Sequence, residues 1–486
     1  MANELDELAA EVLAHYEGPE HEALRELISQ LVARVTQLEA EAKRHSGNSS
    51  KPPSADTLAQ RQAQKARRDA WTKKGKGKRR AGKQTGAPGA HLAQVEHPDD
   101  VVYHTPQVCR GCGSSLAGAE VLSSDTRQVF DLPVPKVVVT EHVAERRRCC
   151  CGAITAGTFP PEASAPTAFG PVIHGVAAYF LVHQHLPVAR TAECVSDVLG
   201  VPVSTGWVAS LLPRAKDLLE GFSKDLRARL ITSPVIGNDE TGARIAGQRY
   251  WFHGATTELL TLITCHKRRG RLGMEAAGVL PGFTGVSVHD RYAQYWFFPC
   301  THAVCGAHLL RDLAAVAETA SQEPWTEAMA HLLLSAKDKA DAARDKGKTS
   351  LSPQQLRRIS KAYDEIVTQA IRANPDPLLL GRQERTKAER DSFNLALAFQ
   401  DLKAEILRFC ENLAVGFTNN TAERGFRMVK IRQKISGCYR EHKGAQAFCA
   451  AWSYVSTARK HGQSPLGVLV QMFRGTPWAI PDPVPG

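Results

Sequence analysis

Two kinds of segment are missing from this sequence. No run of about 18 apolar residues occurs, which argues against a helix that crosses a membrane. The first residues, MANELDELAAEVLAHYEG, are acidic and lack the basic region and apolar core of a secretory signal peptide. We therefore expect a cytoplasmic protein with no membrane partner.

Cysteine is also scarce, with twelve in 486 residues, and only some of the twelve are grouped while the others are scattered. Several are grouped: Cys109 with Cys112, and Cys149, Cys150 and Cys151 in a row. Without a secretory signal, grouped cysteines indicate a metal site more than disulfides. This pattern is typical of a protein in reducing cytosol.

Each cysteine group is a short turn that contains glycine, CRGC and RRRCCCG. Such knuckles suit tetrahedral thiolate coordination of zinc, and four thiolates leave no open position for catalysis. We expect a structural Zn²⁺ held by Cys109, Cys112, Cys149 and Cys151, with Cys150 as an alternative ligand. The segment between them, RQVFDLPVPKVVVTEHVAERRR, alternates like a hairpin that brings the knuckles together.

The charge balance is basic, with 61 Lys and Arg against 50 Asp and Glu and a net charge of +11. A hydrophobic content of 43% excludes wholesale disorder, and nucleic acid is the acidic partner that this balance favours. A glycine-punctuated basic run follows the prolines of GNSSKPPSAD. It could be a solvated tail, but we favour salt-dependent binding of DNA phosphates. The residues concerned are Lys73, Lys74, Lys76, Lys78, Arg79 and Arg80.

The N-terminal region has a heptad pattern, in which Leu24, Leu31 and Leu38 recur every seven residues. This pattern predicts a short coiled coil that makes a homodimer or higher oligomer. One amphipathic helix packed on its own domain is the alternative.

Further on, a helix is predicted to end near Gly200, and Ser204 is predicted to cap the next helix after the turn VPV. This layout is that of a helix-turn-helix, whose second helix could enter a DNA major groove. Plain scaffolding by a helical hairpin is the alternative.

Two later strands each deliver an aspartate. VIGNDET is an apolar strand ending in Asp239, and GVSVHDRYAQY repeats the pattern with Asp290. A single aspartate at a strand end is more often a cap or turn residue. Two at one edge of a sheet suit a pair of Mg²⁺ ions, which prefer oxygen ligands and substrate phosphates.

A third carboxylate stands in TNNTAERGFRMVKIRQK, where Glu423 is the only acidic residue. Asn420 could cap a helix and Glu423 could bond back to that cap. Alternatively, Glu423 is a metal ligand while Arg424, Arg427 and Lys430 hold the DNA backbone. The joint pattern with the two strand aspartates favours the metal ligand.

The motifs DET, HDRYAQY, CGAHLLRD and NNTAER, in this order, resemble transposases of the insertion sequence 66 family. SGNSSKPPSAD, the cysteine knuckles and FLVHQHLPVARTAECVSDVLGVPVSTGWV extend the resemblance over nearly the whole chain. The resemblance implies an RNase H-like domain with a DDE triad of Asp239, Asp290 and Glu423 and two Mg²⁺ (or Mn²⁺) ions. It also implies supporting roles, which we expect for Asn419, Asn420, Cys305 and His308.

Two positions depart from the family pattern. Arg291 stands where the family often has a small residue, and Arg311-Asp312 stands where it usually has Arg-Glu. Neither is in the triad. Glu240 is expected to point away from Asp239 on the strand and to support the site.

The predicted fold is multidomain α/β, with an RNase H-like core interrupted by a helical insertion. The predicted domains are a coiled-coil segment (1–45), a disordered basic linker (46–95), a zinc module (96–165), a helix-turn-helix-like domain (166–225), the first part of the core (226–313), the insertion (314–400), the second part of the core (401–460) and a tail (461–486). The expected function is transposition in the bacterial nucleoid, acting on element ends and target DNA, with accessory proteins of the element as further partners. The alternatives are a catalytically inactive, dimeric DNA-binding protein derived from a transposase, or a structure-specific nuclease.

Overall fold

The structure, a computed structural model, describes residues 21–42, 44–45, 56–63, 92–132, 137–160, 163, 165–319, 322–376 and 387–482. For residues 420–424 it describes the helical backbone but not the side chains. The predicted phosphate-binding residues Lys73, Lys74, Lys76, Lys78, Arg79 and Arg80 lie outside the described residues.

The named helices are α1 (Glu22–Ala42), α2 (Pro171–Val182), α3 (Val188–Leu199), α4 (Thr205–Leu218), α5 (Glu220–Ile231), α6 (Arg271–Ala277), α7 (Gly306–Thr319), α8 (Glu323–Arg344), α9 (Pro353–Ala373), α10 (Lys387–Asp401), α11 (Lys403–Glu411), α12 (Asn420–Ser436), α13 (His442–Lys460) and α14 (Pro465–Phe473). The strands are β1 (Arg146–Arg148), β2 (Ile154–Ala156), β3 (Val235–Ile245), β4 (Gln248–Thr256), β5 (Thr261–His266), β6 (Val286–His289) and β7 (Thr301–Val304).

A five-stranded mixed sheet organises the C-terminal half, with strand order β5-β4-β3-β6-β7. Strands β3, β4 and β5 form an antiparallel meander, and β6 and β7 run parallel to β3. The predicted succession of strands, with a helix before β6 and another after β7, is confirmed. The chain is therefore a mixed α/β protein.

Strand β3 is longer than predicted, so the expectation that it ends in Asp239 is wrong. It continues to Ile245 because the hairpin with β4 pairs Gly237 through Ile245 with Thr256 through Gln248. The parallel partner β6 pairs only with Val235, Ile236 and Gly237. Asp239 therefore lies just beyond the parallel part of the sheet although it lies inside its strand.

Two hydrophobic cores flank this sheet. One joins the meander to α2–α5 and to α12–α14, and it contains the buried Phe252, Phe448 and Tyr454. The other joins β6 and β7 to α7–α11, around Tyr363 and Phe399. The long helical stretch between Asp290 and Glu423 thus has a core of its own and packs on the β7 side.

The predicted helical hairpin before the sheet is confirmed at its two boundary residues. Helix α3 ends at Gly200, whose positive φ of 65° a residue with a Cβ adopts at a cost. The side chain of Ser204 caps α4 and accepts a hydrogen bond of 3.1 Å from the Trp207 N–H. Local chemistry alone determines both ends.

The prediction that the segment between the cysteine knuckles forms a hairpin is wrong. Within residues 127–132 and 137–145 the chain forms no strand, and the valines from Val137 to Val139 are exposed. An alternating segment that has no core to cover gains nothing from strand pairing. The strand pair that forms is β1 with β2, which lies across the second knuckle.

Helix α1 leaves the predicted heptad leucines open to solvent, with Leu24, Leu31 and Leu38 exposed by 40%, 56% and 48%.

No helix in the described part of the chain is both long and apolar enough to pass through a membrane.

Candidate active site

The two aspartates lie side by side because of strand register. Gly237 of β3 pairs with Val288 of β6 in parallel, so two residues further along each chain Asp239 and Asp290 reach the same level. Burial raises the pKa of Tyr295 most, and the charge of Glu240 raises it further. The charges of Asp239 and Asp290 act in the same direction, so both aspartates are close enough to interact with Tyr295. The structure thus brings together the two aspartates that the sequence predicts.

A buried hydrogen-bond network holds the start of α12 against β3. Asn419 Nδ2 donates to the backbone oxygen of Asn238 at 2.6 Å, and its N–H donates to Cys305 Sγ at 3.2 Å. Asn238 Nδ2 in turn donates to Ser287 Oγ of β6 at 2.9 Å. Buried hydrogen bonds between side chains and backbone fix relative positions well, so this network sets where the helix of Glu423 begins.

Helix α12 lies on the face of the sheet from which Asp239 projects. A Cβ on Gly237 would lie 1.9 Å from Asn419 Oδ1, and a Cβ on Gly254, the cross-strand partner of Asp239, would lie 2.6 Å from the Phe426 ring. Residues that alternate with the same parity share one face of a strand. Two glycines therefore allow the helix to approach close to the carboxylate.

The capping interpretation of Glu423 is wrong in its register. Helix α12 begins at Asn420, so Asn419 occupies the N-cap position, and it makes no side-chain cap bond. The residue three positions after Asn419 is Ala422, which has no side chain that could bond back. Glu423 lies one residue further, in the first helical turn, and its side chain is outside the described residues, as are those of Asn420 and Arg424.

Glu240 is buried on the other face of β3, as its alternation with Asp239 predicts. Its side chain is 1% exposed and accepts hydrogen bonds from Arg269 Nε at 2.9 Å and from Tyr295 Oη at 2.6 Å. Burial, and then the charge of Asp290, raise the pKa of Glu240, while the bonds from Tyr295 and Arg269 act in the other direction. We name Glu240, Arg269 and Tyr295 the carboxylate clamp, because it ties β3 to the segment after Asp290.

The segment after Asp290 is ordered by its own contacts. Asp290 Oδ1 accepts a bond of 2.9 Å from the Tyr292 N–H, and Arg269 stacks on the Tyr292 ring at 4.0 Å. His289 is fully buried, stacks on Tyr295 with ring centroids 4.4 Å apart, and contacts the Asp290 carbonyl oxygen through Nδ1. Burial lowers the pKa of His289 to about 4. These contacts hold the backbone on both sides of Asp290 in place.

The two departures from the family pattern contact each other. Arg291 Nη2 lies 2.5 Å from Asp312 Oδ2, and the two side chains are 25% and 42% exposed. The pair links the segment after Asp290 to helix α7. Arg291 thus has a partner on the side of the insertion, and the two departures form one ion pair.

We expect Arg291→Ala and Asp312→Ala each to lower the free energy of unfolding by up to about 1 kcal/mol, with a favourable coupling energy between them, because a partly exposed ion pair contributes at most about that much. A charge swap, Arg291→Asp with Asp312→Arg, should recover most of the loss. Chemical denaturation measures both, and the pair Lys337 and Asp341 within α8 serves as a matched control. Zero coupling would show that the two residues act independently.

The predicted DNA-contacting cations on α12 differ in their environments. Arg427 is exposed. Lys430 is exposed as a residue, but its ammonium group lies against β3 and donates to the Gly242 backbone oxygen at 2.5 Å, and the partial burial of this group lowers its pKa. Of the other predicted supporting residues, Cys305 is buried against Asn419, and His308 lies in the first turn of α7.

Each cysteine knuckle has a closed turn of its own. In the first, Gly113 donates its N–H to the Cys109 oxygen at 2.9 Å, and the side chain of Ser114, then its backbone, lowers the pKa of Cys112 to about 7. In the second, Gly152 donates to the Cys149 oxygen at 2.9 Å, and hydrogen bonds from the backbone and thiol of Cys151 lower the pKa of Cys149. Thiolate is the form that binds zinc, so both turns fit a zinc ligand pair. The two knuckles belong to different compact units, which are described separately.

The donor set near the aspartates also fits a divalent ion. Carboxylate oxygens are the ligands that Mg²⁺ prefers. Among the described residues no three His, Cys, Asp or Glu side chains converge as a complete metal site. Asp239 and Asp290 provide two carboxylates, and the side chain of Glu423, the predicted third, is not among the residues searched.

Sequence patterns did not reveal Arg269, Tyr295 or Asn238 as site residues. Arg269 stands in the basic run KRRGR, which looks like a solvated charge cluster, and Asn238 looks like an ordinary strand residue. Tyr295 belongs to the quoted motif HDRYAQY, and its spacing of five residues from Asp290 was the one available signal.

Comparison with known families agrees with this arrangement. Residues 167–447, more than half of the chain, match the model of the transposase IS66 family. Residues 106–152 match the zinc-finger binding domain of transposase IS66, which supports a structural zinc, and residues 2–93 match a family of unknown function. No curated protein matches the chain. Because the family match spans the sheet, both aspartates and the helix of Glu423, this chain belongs to the IS66 family of transposases.

Proposed function

We propose that this protein is a DDE transposase that cuts the ends of an insertion sequence and joins them to target DNA. One observation carries the proposal: Asp239 of β3 lies level with Asp290, the residue that follows the parallel strand β6, and Asn419 fastens the helix of Glu423 to β3. Two carboxylates so placed, together with a predicted third on that helix, make up the ligand set that a two-metal phosphoryl-transfer site needs.

The catalytic fold that we propose is RNase H-like. An antiparallel meander followed by two parallel strands, with the first strand at the centre of the sheet, supports this assignment. The helices α7–α11 then form an insertion between β7 and α12. Their separate core supports an insertion that leaves the catalytic sheet intact.

In this proposal Asp239, Asp290 and Glu423 would hold two Mg²⁺ or Mn²⁺ ions. Bound there, the ions supply an activated water and neutralise charge that develops on the phosphate. Water attacks the phosphodiester at the element end, and the freed 3′-OH then attacks target DNA in line, without a covalent protein intermediate. The protein's task is to position the strands, and the carboxylate clamp keeps Asp239 and Asp290 at one level.

Other parts of the chain would bind DNA and pair the protomers. Arg424, Arg427 and Lys430, and the basic run from Lys73 to Arg80, would contact phosphates rather than bases. The zinc module, with Cys109, Cys112, Cys149 and Cys151 as ligands, and the hairpin of α3 and α4 would bind the element ends. The exposed heptad leucines of α1 support a homodimer or higher oligomer.

A strand-transfer assay tests this function, with a labelled pre-cleaved element end, supercoiled target and Mg²⁺. We expect wild type to join the end to the target. Glu423→Gln should bind the end and not join it, whereas Glu441→Gln, a change at an exposed glutamate at the start of α13, should leave joining unchanged.

Other outcomes identify the alternatives. Binding of DNA by wild type without nicking or joining, with and without Mg²⁺, would identify a catalytically inactive DNA-binding protein. Cleavage without any joined product would identify a nuclease. Equal joining by wild type and Glu423→Gln would remove Glu423 from the triad.

A further inference from the structure

A recess lies along the unpaired edge of β3, beyond the two aspartates. Strand β6 pairs with β3 only as far as Gly237, and Tyr439 bridges to Ile245 at the far end of β3. Between these two pairings lies a cavity of about 570 Å³, within the size range of small-ligand sites. We call it the hairpin recess, defined by Gly242, Arg244, Arg249, Trp251, Lys430 and Gln433.

The hairpin recess is cationic. Arg244, Arg249 and Lys430 line it, and among the residues that the structure describes no aspartate or glutamate does so. Arg244 and Arg249 are exposed, and neither forms an ion pair within the part of the chain that the structure describes. Nearby arginines differ in this respect, since Arg269 pairs with Glu240 and Arg291 with Asp312.

Arg244 and Arg249 are also direct cross-strand partners in the β3–β4 hairpin. Like charges placed directly opposite each other destabilise a strand pair. The hairpin therefore carries an electrostatic cost that an anion bound between the two guanidinium groups would remove. Phosphate fits this position, because guanidinium groups bind it with paired hydrogen bonds.

An aromatic ring lies next to the arginine pair. Trp251 is the cross-strand partner of Gly242, and its ring lies 3.7 Å from where a Cβ of Gly242 would be. Because Gly242 has no side chain, it does not cover the indole of Trp251, which is partly exposed. Every nucleic-acid base has a π face that can stack on such a ring without regard to sequence.

The position of the recess relates these features to the reaction. Gly242 is three residues beyond Asp239, which is about 10 Å along a strand. By the alternation of β3, Trp251 and the arginine pair lie on the face of Glu240, opposite to Asp239, and Arg269 lies over the Trp251 ring at 4.9 Å. Lys430 and Gln433 of α12, which packs on the face of Asp239, line the same recess, so the recess spans the unpaired edge of β3. A DNA strand that leaves the two aspartates across this edge reaches Trp251 and the arginine pair next. A base pair inside a duplex has both faces covered by its neighbours, so a base from inside the duplex has to be unpaired before it can stack on the indole.

We infer that the hairpin recess binds one unpaired nucleotide of the DNA end, with its base on Trp251 and a neighbouring phosphate between Arg244 and Arg249. This inference rests on the proposed action on DNA. It adds that the enzyme separates the last base pairs next to the cleaved bond. The separated strand is then held away from the reacting phosphodiester.

A binding experiment without metal tests the inference on the full chain. Two DNA probes differ only at one end, which is either fully paired or has three unpaired nucleotides with 2-aminopurine among them. Wild type should bind the unpaired end more tightly and should quench the 2-aminopurine fluorescence. Trp251→Ala should weaken binding of the unpaired end about 10-fold to 100-fold and leave the paired end unchanged. Trp251→Phe should retain most of the preference and shows that the fold is intact.

The arginine pair is tested separately by salt dependence. Arg244→Ala with Arg249→Ala should lower the slope of log affinity against log salt by about one to two for the unpaired probe. The charge-matched control is Arg357→Ala with Arg358→Ala on the exposed surface of α9, and Phe297→Ala is the control for loss of an exposed ring. Both controls should keep the preference for the unpaired end.

Equal affinity of wild type for the two probes, or an unchanged preference in Trp251→Ala, would overturn the inference. Cleavage with Mg²⁺, measured in parallel, keeps this result separate from the proposed function. Cleavage without a preference for unpaired ends refutes the recess alone. A preference for unpaired ends without any cleavage refutes the catalytic proposal and leaves the recess as a single-strand binding site.

Discussion

Asp239→Asn is expected to bind element-end DNA like wild type and to lose about a thousand-fold or more of its Mg²⁺-dependent cleavage. The substitution keeps the size of the side chain and removes one negative charge from the proposed metal site. Bound metal contributes several kcal/mol of transition-state stabilisation, and each 1.36 kcal/mol is a factor of ten in rate. Single-turnover cleavage of a labelled end measures the loss, and filter binding measures the affinity.

Two controls define what this loss means. Asp401→Asn changes an exposed aspartate at the end of α10 and should cleave at the wild-type rate. Glu240→Gln keeps the clamp's shape and should lose only about 10-fold to 100-fold, as outer-shell partners of metal ligands do. Wild-type cleavage by Asp239→Asn would remove Asp239 from the triad.

Gly237→Ala is expected to lower the free energy of unfolding by about 1–3 kcal/mol and to abolish cleavage. The new methyl group would lie 1.9 Å from Asn419 Oδ1, and Asn419 is 95% buried, so the start of α12 has to move. That movement breaks the bond from Asn419 to Asn238 and carries the helix of Glu423 away from β3. Thermal melts and the cleavage assay together measure both effects.

The matched controls are Gly221→Ala and Gly444→Ala, because nothing lies within 4 Å of a Cβ at either position. Adding Asn419→Ala to Gly237→Ala removes the collision and should restore much of the stability, but not cleavage, because the anchor of α12 is then missing. Full cleavage by Gly237→Ala would show that the position of α12 does not matter to the reaction.

Local features of the fold could be predicted from the sequence. The helix end at Gly200 and the cap at Ser204 depend on backbone conformation and on one nearby hydrogen bond, so the residues themselves specify them. The hairpin between the knuckles was predicted in the wrong place, since alternation of residues indicates a strand only where one face has a core to cover. The boundary of β3 was missed for a related reason, because its last residues are held by pairing with β4.

The candidate site also has parts that could be predicted from the sequence and parts that could not. The order of Asp239, Asp290 and Glu423 along the chain, and the motifs around them, were sufficient to predict the family, which the family match confirms. The clamp of Glu240, Arg269 and Tyr295 and the pair of Arg291 with Asp312 could not be predicted. Each joins residues between 21 and 55 positions apart, and residue types alone do not specify such contacts.

The sequence by itself therefore determined which chemical groups this protein has, the order in which they come and the elements that carry them. The tertiary structure alone decided their distances. Parallel register places Asp239 level with Asp290, and the absence of a side chain at Gly237 lets Asn419 hold the helix of Glu423 against β3. The physical reason is that secondary structure depends mainly on neighbours in sequence, whereas strand register and close packing depend on the whole fold.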